Sequence, residues 1–263
     1  MKITFIGAGN MSEAIISGVL KEGVFSAKDI RASDPLIERR NHMRGTYGVE
    51  VGDNNREAVE GADIVVLAVK PQIFSSVWED LKEAISSSTL IVSIMAGITS
   101  ETIACDTNFR VIRVMPNTPS LVGRGASGIA MGKTANEDDM GIAEKIMQSV
   151  GVSVRVKEEQ LHAVTALSGS GPAYIFYLIE AMMQEAIDLG LDEDAARLLC
   201  AETVGGAADL FANSKDSAKS LRNKVTSKGG TTAAAIKAFE DKDMKSIIAG
   251  AMKSAYERSL ELS

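Results

Sequence analysis

Hydrophobic and polar positions along the chain change rhythm near residue 157. Before it, short β-branched runs alternate with stretches of helical period. Residues 2–7 (KITFIG), 29–33, 63–69, 89–95, 110–115 and 152–156 predict strands, and residues 11–23, 36–45, 73–85 and 139–151 predict helices. The first predicted helix carries Ile15, Ile16, Val19 and Leu20 on one stripe and stops at Gly23. A segment such as DIVVLAV (63–69) is apolar at consecutive positions, so both of its faces need cover, as in a parallel sheet with helices on each side. Alternation with two-face burial predicts an α/β fold built on a doubly wound, mostly parallel sheet.

After Val156 the strand pattern is gone. Residues 158–167, 172–190, 192–211, 216–225, 231–240 and 243–260 all predict helices. The first two meet at SGSGP (168–172), where Gly169 and Gly171 break the pattern and Pro172 suits the first turn of the next helix. The run PAYIFYLIEAMM (172–183) is apolar nearly all round and must be covered on every side. A lobe this small covers such a helix more readily with a second copy of the chain, so an all-α dimerisation domain and an intertwined homodimer are predicted. The domain expectation is 1–157 for the sheet and 158–263 for the helices.

Composition narrows the partners. The chain has 263 residues, a net charge of −7 and no basic block, which disfavours nucleic acid and anionic membrane as partners. No apolar run approaches the roughly 18 residues needed to span a bilayer. The N-terminal segment predicts a strand and not a secretory leader. The two cysteines, Cys105 and Cys200, are far apart and predict reduced thiols, and the expected location is cytoplasmic. With only His42 and His162, a histidine-based metal site is not expected, and His162, among Leu161, Val164 and Leu167, is expected to be structural.

The first candidate site is FIGAGNMS (5–12). Gly7, Gly9 and Ser12 form G-x-G-x-x-S between a strand and an amphipathic helix, the context in which this variant of the Rossmann dinucleotide fingerprint has meaning. Gly7 permits a tight turn, Gly9 admits a pyrophosphate, and a small residue at 12 lets helix and strand pack closely. The cofactor type is read at the end of the second strand, where Ser33 and Asp34 stand with Arg31, Arg39 and Arg40 nearby. An acid there suits the ribose hydroxyls of NADH, and a hydroxyl with arginines suits the phosphate of NADPH. The residues leave both open. The strand-end segments 68–71 (AVKP), 95–97 (MAG) and 115–119 (MPNTP) are expected to line the crevice toward the nicotinamide.

The second candidate site is TSKGGTT (226–232), two glycines and several hydroxyls directly before an alanine-rich helical run. A helix start of this kind leaves backbone N–H groups free for an anion. Reduction of a ketone would need a nearby proton donor, usually His or Lys. No lysine lies between Lys157 and Lys215, and His162 is the only histidine of the helical half. Hydroxyls and N–H groups suit a carboxylated C=N substrate, which can arrive already protonated.

The motifs GAGNMS, AVKPQ, MPNTP, SGSGPAYIF and VTSKGGTTAAAI, in this order and over essentially the whole chain, resemble those of the pyrroline-5-carboxylate reductases. SGSGPAY and GGTT at this separation are the specific ones. The resemblance implies reduction of 1-pyrroline-5-carboxylate to L-proline by NADPH or NADH. It also implies an interlocked dimer, sometimes assembled into larger rings of dimers, with the site between the nucleotide domain of one subunit and helices of its partner. It further implies that Ser227, Gly229, Gly230 and Thr231 bind the substrate carboxylate and that Thr232 bonds the ring nitrogen. The cofactor contacts it implies are Gly7, Ala8, Gly9, Asn10, Met11 and Ser12, together with Ser33, Asn55, Ala68, Val69, Lys70 and Pro71. Two departures stand out. Many members have Pro where this chain has Lys228, and Asp34 is unusual beside a phosphate-binding site.

Two other readings fit parts of the pattern. A two-domain hydroxyacid dehydrogenase would need a lysine near SGSGPAY, where none stands. A nucleotide-sensing module would bind cofactor without turnover and would leave TSKGGTT unexplained.

Overall fold

The computed structural model describes residues 1–104 and 107–263, so Cys105 lies outside the described residues. The elements of the first part are β1 (Ile3–Ile6), α1 (Asn10–Lys21), β2 (Ile30–Ser33), α2 (Ile37–Tyr47), β3 (Glu50–Gly52), α3 (Asn55–Val59) and β4 (Ile64–Leu67). They continue with α4 (Phe74–Leu81), β5 (Leu90–Ser93), α5 (Ser100–Ala104), β6 (Arg110–Met115), β7 (Gly125–Met131), α6 (Glu137–Gln148) and β8 (Gly151–Arg155). The helical part holds α7 (Leu161–Val164), α8 (Gly171–Asp188), α9 (Glu193–Ala212), α10 (Ala218–Lys224), α11 (Thr231–Asp241) and α12 (Met244–Glu261).

Among the described residues the strands form one eight-stranded sheet in the order β3-β2-β1-β4-β5-β6-β7-β8. Pairing is parallel throughout except between β6 and β7, where Ile112 faces Met131 in antiparallel register. The chain runs outward from β1 to β3 and then crosses to β4 on the other side of β1, with Ile3 paired to Ile30 on one flank and to Ile64 on the other. The carboxyl ends of β1 and β4 therefore flank a topological switch point, where open α/β sheets place their ligands.

Alternate strand residues feed two cores. Ile3, Phe5, Ile64, Val66, Leu90 and Val92 pack with α1, α2 and α6, whereas Ile6, Val65, Leu67, Ile91 and Val111 pack with α3, α4 and α5. This is the two-face burial expected from consecutive apolar positions, and the sheet is doubly wound.

The prediction had six strands, and two more are present. β3 is a three-residue edge strand with one buried position, too short to leave a periodic signal. β7 (GASGIAM) is rich in small residues that sequence propensity disfavours in strands. Packing requires them: a Cβ at Gly128 would sit 2.8 Å from a methyl of Val164.

The chain forms two compact units, residues 1–172 with 254–263, and residues 173–253. The described chain thus departs from the first unit inside α8 and returns to it inside α12. In the first unit, residues 165–169 widen into a π-turn, with the Ser170 N–H donating to the Thr165 carbonyl at 2.7 Å. His162 has the structural setting expected of it. Its Nδ1 lies 3.0 Å from Ser259 Oγ, and its ring meets Tyr256 edge-on at 6.1 Å. The carbonyl of Leu262 rests against Gly97, which has φ +81 and no room for a Cβ.

The second unit buries little by itself. No residue of α8 is buried, and in α9 only Ala196 and Cys200 are. Phe176 is 64% and Tyr177 76% exposed. Among the described residues, no helix is long and apolar enough to cross a membrane, and no group of His, Cys, Asp or Glu is arranged to hold a metal.

Candidate active site

The first cradle forms because β1 ends at a residue that only glycine suits. Gly7 has φ +96, and a Cβ there would lie 2.8 Å from the Ala68 carbonyl oxygen at the end of β4. The turn is pinned to both neighbouring strands: the Gly7 N–H donates to Ser33 O at 2.8 Å, and the Ala68 N–H donates to Ile6 O at 2.9 Å. The buried Ser12 hydroxyl closes the turn from within by donating to Gly7 O at 2.6 Å. Gly9, the residue preceding α1, carries no side-chain cap, and a Cβ on it would meet open space. The exposed N–H groups of Gly9 and Asn10 and that of half-exposed Met11 have no acceptor among the described residues. Donors at a helix start with a close, side-chain-free approach fit a pyrophosphate.

The predicted cofactor residues fall at this crevice in part. Ala8 is fully buried, Ala68 and Val69 are half-buried, Lys70 is exposed, and Pro71 opens a short 3-10 turn. Asn55 is the first residue of α3, half-exposed, while its neighbour Asn54 caps that helix by accepting from the Arg56 and Glu57 N–H groups. Ser33 is 1% exposed, and its Oγ has no hydrogen-bond partner.

The charged residues beside β2 are already engaged by other groups of the protein. Asp34, 9% exposed, accepts from the Ala8 N–H and the Leu36 N–H, each at 2.9 Å. Arg39 donates to the Ala8 carbonyl and pairs with Glu13 at 2.7 Å. Arg40 donates to the carbonyls of Asp34 and Pro35 and pairs with Asp53 at 3.1 Å. Arg31 pairs with Glu50 at 3.0 Å. Burial pushes the Glu13 carboxyl up, but hydrogen bonds from His42, Arg39 and Tyr47 outweigh it and hold it at about 2.

Of the other strand-end loops, 115–119 is the most firmly braced. Asn117 is buried; its amide donates to Ser168 O at 3.1 Å, and its oxygen accepts from the Ala126 N–H at 2.9 Å. It ties the end of β6 to the π-turn and to β7. The sequence leads us to expect 115–119 along the crevice, and nothing in residue spacing names these partners.

The second cradle belongs to the second unit. The Gly230 N–H donates to Ser227 O at 3.1 Å, closing a four-residue turn over Ser227–Gly230, with Gly229 left-handed at φ +74. The turn packs so closely that a Cβ at Gly230 would lie 2.5 Å from Ser227 Oγ. Gly230 precedes α11 without a side-chain cap, so the first N–H groups of that helix stay open, as an anion site requires. The turn geometry gives Lys228 its meaning. It is the second residue of the turn, where proline is favoured because the ring presets φ. Thr231 is exposed and Thr232 half-exposed, and neither hydroxyl has a partner among the described residues.

The chain matches known proteins along its length. Residues 158–262 match the family model "Pyrroline-5-carboxylate reductase dimerisation", and residues 2–97 match the model "NADP oxidoreductase coenzyme F420-dependent". A curated pyrroline-5-carboxylate reductase of Pseudomonas aeruginosa is 41% identical, over 99% of this chain and 96% of that protein. The solved structure of a pyrroline-5-carboxylate reductase from Coxiella burnetii superimposes with a TM-score of 0.91 at 39% identity, covering 100% of this chain and 98% of the other. A Plasmodium falciparum pyrroline carboxylate reductase with NADP bound superimposes with a TM-score of 0.90 at 27% identity, over 100% and 98% of the two chains.

Proposed function

This chain belongs to the pyrroline-5-carboxylate reductase family, and on that premise we propose that it reduces the C=N bond of 1-pyrroline-5-carboxylate to give L-proline. The reduced nicotinamide cofactor supplies the hydride when bound. The turn at Gly7, Ala8, Gly9, Asn10, Met11 and Ser12 holds its pyrophosphate, with Ala68, Val69, Lys70 and Pro71 along the crevice and Ser33 and Asn55 toward the adenosine end. The observation that carries the reading is the uncapped start of α11, a carboxylate cradle with two unengaged threonines directly after the turn and one cation, Lys228, within it.

In this reading Ser227, Gly229, Gly230 and Thr231 hold the substrate carboxylate. The Thr232 hydroxyl bonds the ring nitrogen and orients the imine carbon. As the carbon accepts hydride, the nitrogen passes from iminium to amine, so Thr232 positions the ring and is not an obligatory proton source.

NADPH is the preferred cofactor and NADH a usable one. The inward engagement of Asp34 supports this, because a carboxylate facing the ribose would repel a 2′-phosphate. The working form is a homodimer through residues 158–263, with rings of dimers as the larger assembly, and the cytoplasm is its location. The exposed apolar residues of α8 support the dimer, since one chain leaves them uncovered.

The test is loss of reduced-nicotinamide absorbance on adding 1-pyrroline-5-carboxylate, with proline as product. Oxidation with a 2-hydroxy acid in the reverse direction, and none with proline or the imine, would assign the chain to the hydroxyacid dehydrogenases instead. Binding without turnover would leave a sensing module.

A further inference from the structure

The peptide unit of Ala8, the variable position between the two turn glycines, is gripped from both sides by opposite charges. Its N–H donates to Asp34 Oδ2 at 2.9 Å. Its carbonyl accepts from Arg39 Nε at 2.8 Å and Nη2 at 2.6 Å. Neither grip is loose. The other oxygen of Asp34 accepts from the Leu36 N–H at 2.9 Å, and its backbone N–H donates to Gly52 O at 3.1 Å. Arg39 is itself fixed by Glu13 at 2.7 Å, and Glu13 is fixed by His42 at 2.7 Å and Tyr47 at 3.0 Å. Ala8 is fully buried in the presence of these partners.

We infer that Asp34 and Arg39 are positioning residues for the cofactor turn. Together they fix the Ala8 peptide so that the N–H groups of Gly9, Asn10 and Met11 face outward, and Asp34 does not read the ribose 2′ position. The inference rests on the reading of residues 7–12 as the pyrophosphate cradle. In a doubly wound sheet, an acid at the end of the second strand ordinarily accepts from the ribose hydroxyls and favours NADH. Here each oxygen of that acid already meets a backbone donor, and the group is nearly enclosed. Its removal leaves a buried N–H unpaired and lets the turn relax, which weakens the part of the cofactor that NADH and NADPH share. The choice between the two cofactors is then made by other residues.

The experiment measures dissociation constants of NADPH and NADH by fluorescence titration for the wild type, Asp34→Ala, Asp34→Asn and Arg39→Gln. Asp34→Ala and Arg39→Gln should weaken both cofactors by about tenfold, with the NADPH-to-NADH ratio within about twofold of wild type. Asp34→Asn keeps one acceptor oxygen and should recover part of the loss for both cofactors. The KM for the imine at saturating cofactor should stay near wild type in all variants, which a general loosening of the fold would not allow. If Asp34→Ala does not fold, Asp34→Asn and Arg39→Gln decide the matter alone. A ratio shifted by about tenfold toward NADPH in either Asp34 variant overturns the inference, since it would place the carboxylate at the 2′ position. Unchanged affinities for both cofactors in every variant also overturn it. A wild-type chain that binds neither cofactor removes the functional reading and the inference with it, an outcome distinct from a shifted ratio.

Discussion

The sheet unit and the helical excursion differ in how much of themselves they support. All four residues of β1 are buried, and strand side chains divide cleanly between two cores. Not one residue of the eighteen-residue helix α8 is buried, although it is among the most apolar segments of the chain. The two anion cradles differ in the same sense. The one at residues 7–12 is braced from behind by Ser12, Asp34 and Arg39, whereas Thr231 and Thr232 are unengaged. A unit that closes its own core can also preorganise its own site. A unit that leaves its apolar faces open buries little by itself.

The sharpest way to break this contrast is a matched pair of core changes. Phe5→Ala should cost about 3–5 kcal/mol and lower the midpoint of thermal unfolding equally at every protein concentration. If the proposed dimer covers α8, Phe176→Asp places a charge at the interface, and several kcal/mol of dimer stability should be lost. Sedimentation should show monomers, and the midpoint should lose the dependence on protein concentration that a dimer has. An active, well-folded Phe176→Asp dimer would mean that α8 is not at the interface.

The next effect contrasts the cradles in catalysis. A hydrogen bond to a charged ring nitrogen is worth about 1.5–3 kcal/mol, so Thr232→Ala should lower kcat by roughly 10- to 200-fold. Cofactor affinity should be nearly unchanged, and Thr232→Ser should keep most of the activity. A wild-type kcat in Thr232→Ala would remove Thr232 from the mechanism.

The bracing of the first cradle has a signature in pH. The Glu13 carboxyl titrates lower in the folded chain than its ordinary 4.5, at about 2. A depressed carboxyl contributes stability above its unfolded value. That contribution is therefore complete above about pH 4.5 and is lost as pH falls toward about 2. Water reaches the cluster, so the contribution is about 1 kcal/mol and less than the full shift implies. Urea midpoints of Glu13→Gln should lose that part of the slope; an unchanged acid profile would show that the cluster contributes nothing.

How much of this was legible in the sequence depended on whether the signal was local. β1, β4, β5 and β6 announce themselves because a strand buried on both faces carries apolar residues at consecutive positions. β7 does not, because Gly125 and Gly128 are there to admit neighbours from elsewhere in the chain, and spacing carries no record of a distant contact. The same limit applies at the site. Gly7 is legible because the turn needs it, and Gly9 because it belongs to a recognisable glycine spacing. The engagement of Asp34, Arg39 and Arg40 is not, since a charged residue in sequence names no partner. Asn54 rather than Asn55 caps α3, a distinction between neighbours that no periodicity resolves. Asn117, which joins three segments, lay in a stretch expected only to line the crevice.

The smallest prediction concerns the second cradle. Lys228 occupies the second position of a turn whose third residue is left-handed, a position compatible with proline. Lys228→Pro should raise stability by about 0.4–1 kcal/mol by restricting the unfolded chain, a gain of a few degrees in thermal midpoint. A lower midpoint would contradict the assigned turn.

The return of the chain to the sheet unit has a consequence for limited proteolysis. Residues 173–253 leave that unit and come back to it, and the returning segment is fastened by Ser259 on His162 and by Leu262 on Gly97. A single nick inside the excursion therefore does not release a domain. It produces two fragments, each still anchored on the same sheet, and the cut chain should migrate intact on a native gel while separating in denaturant.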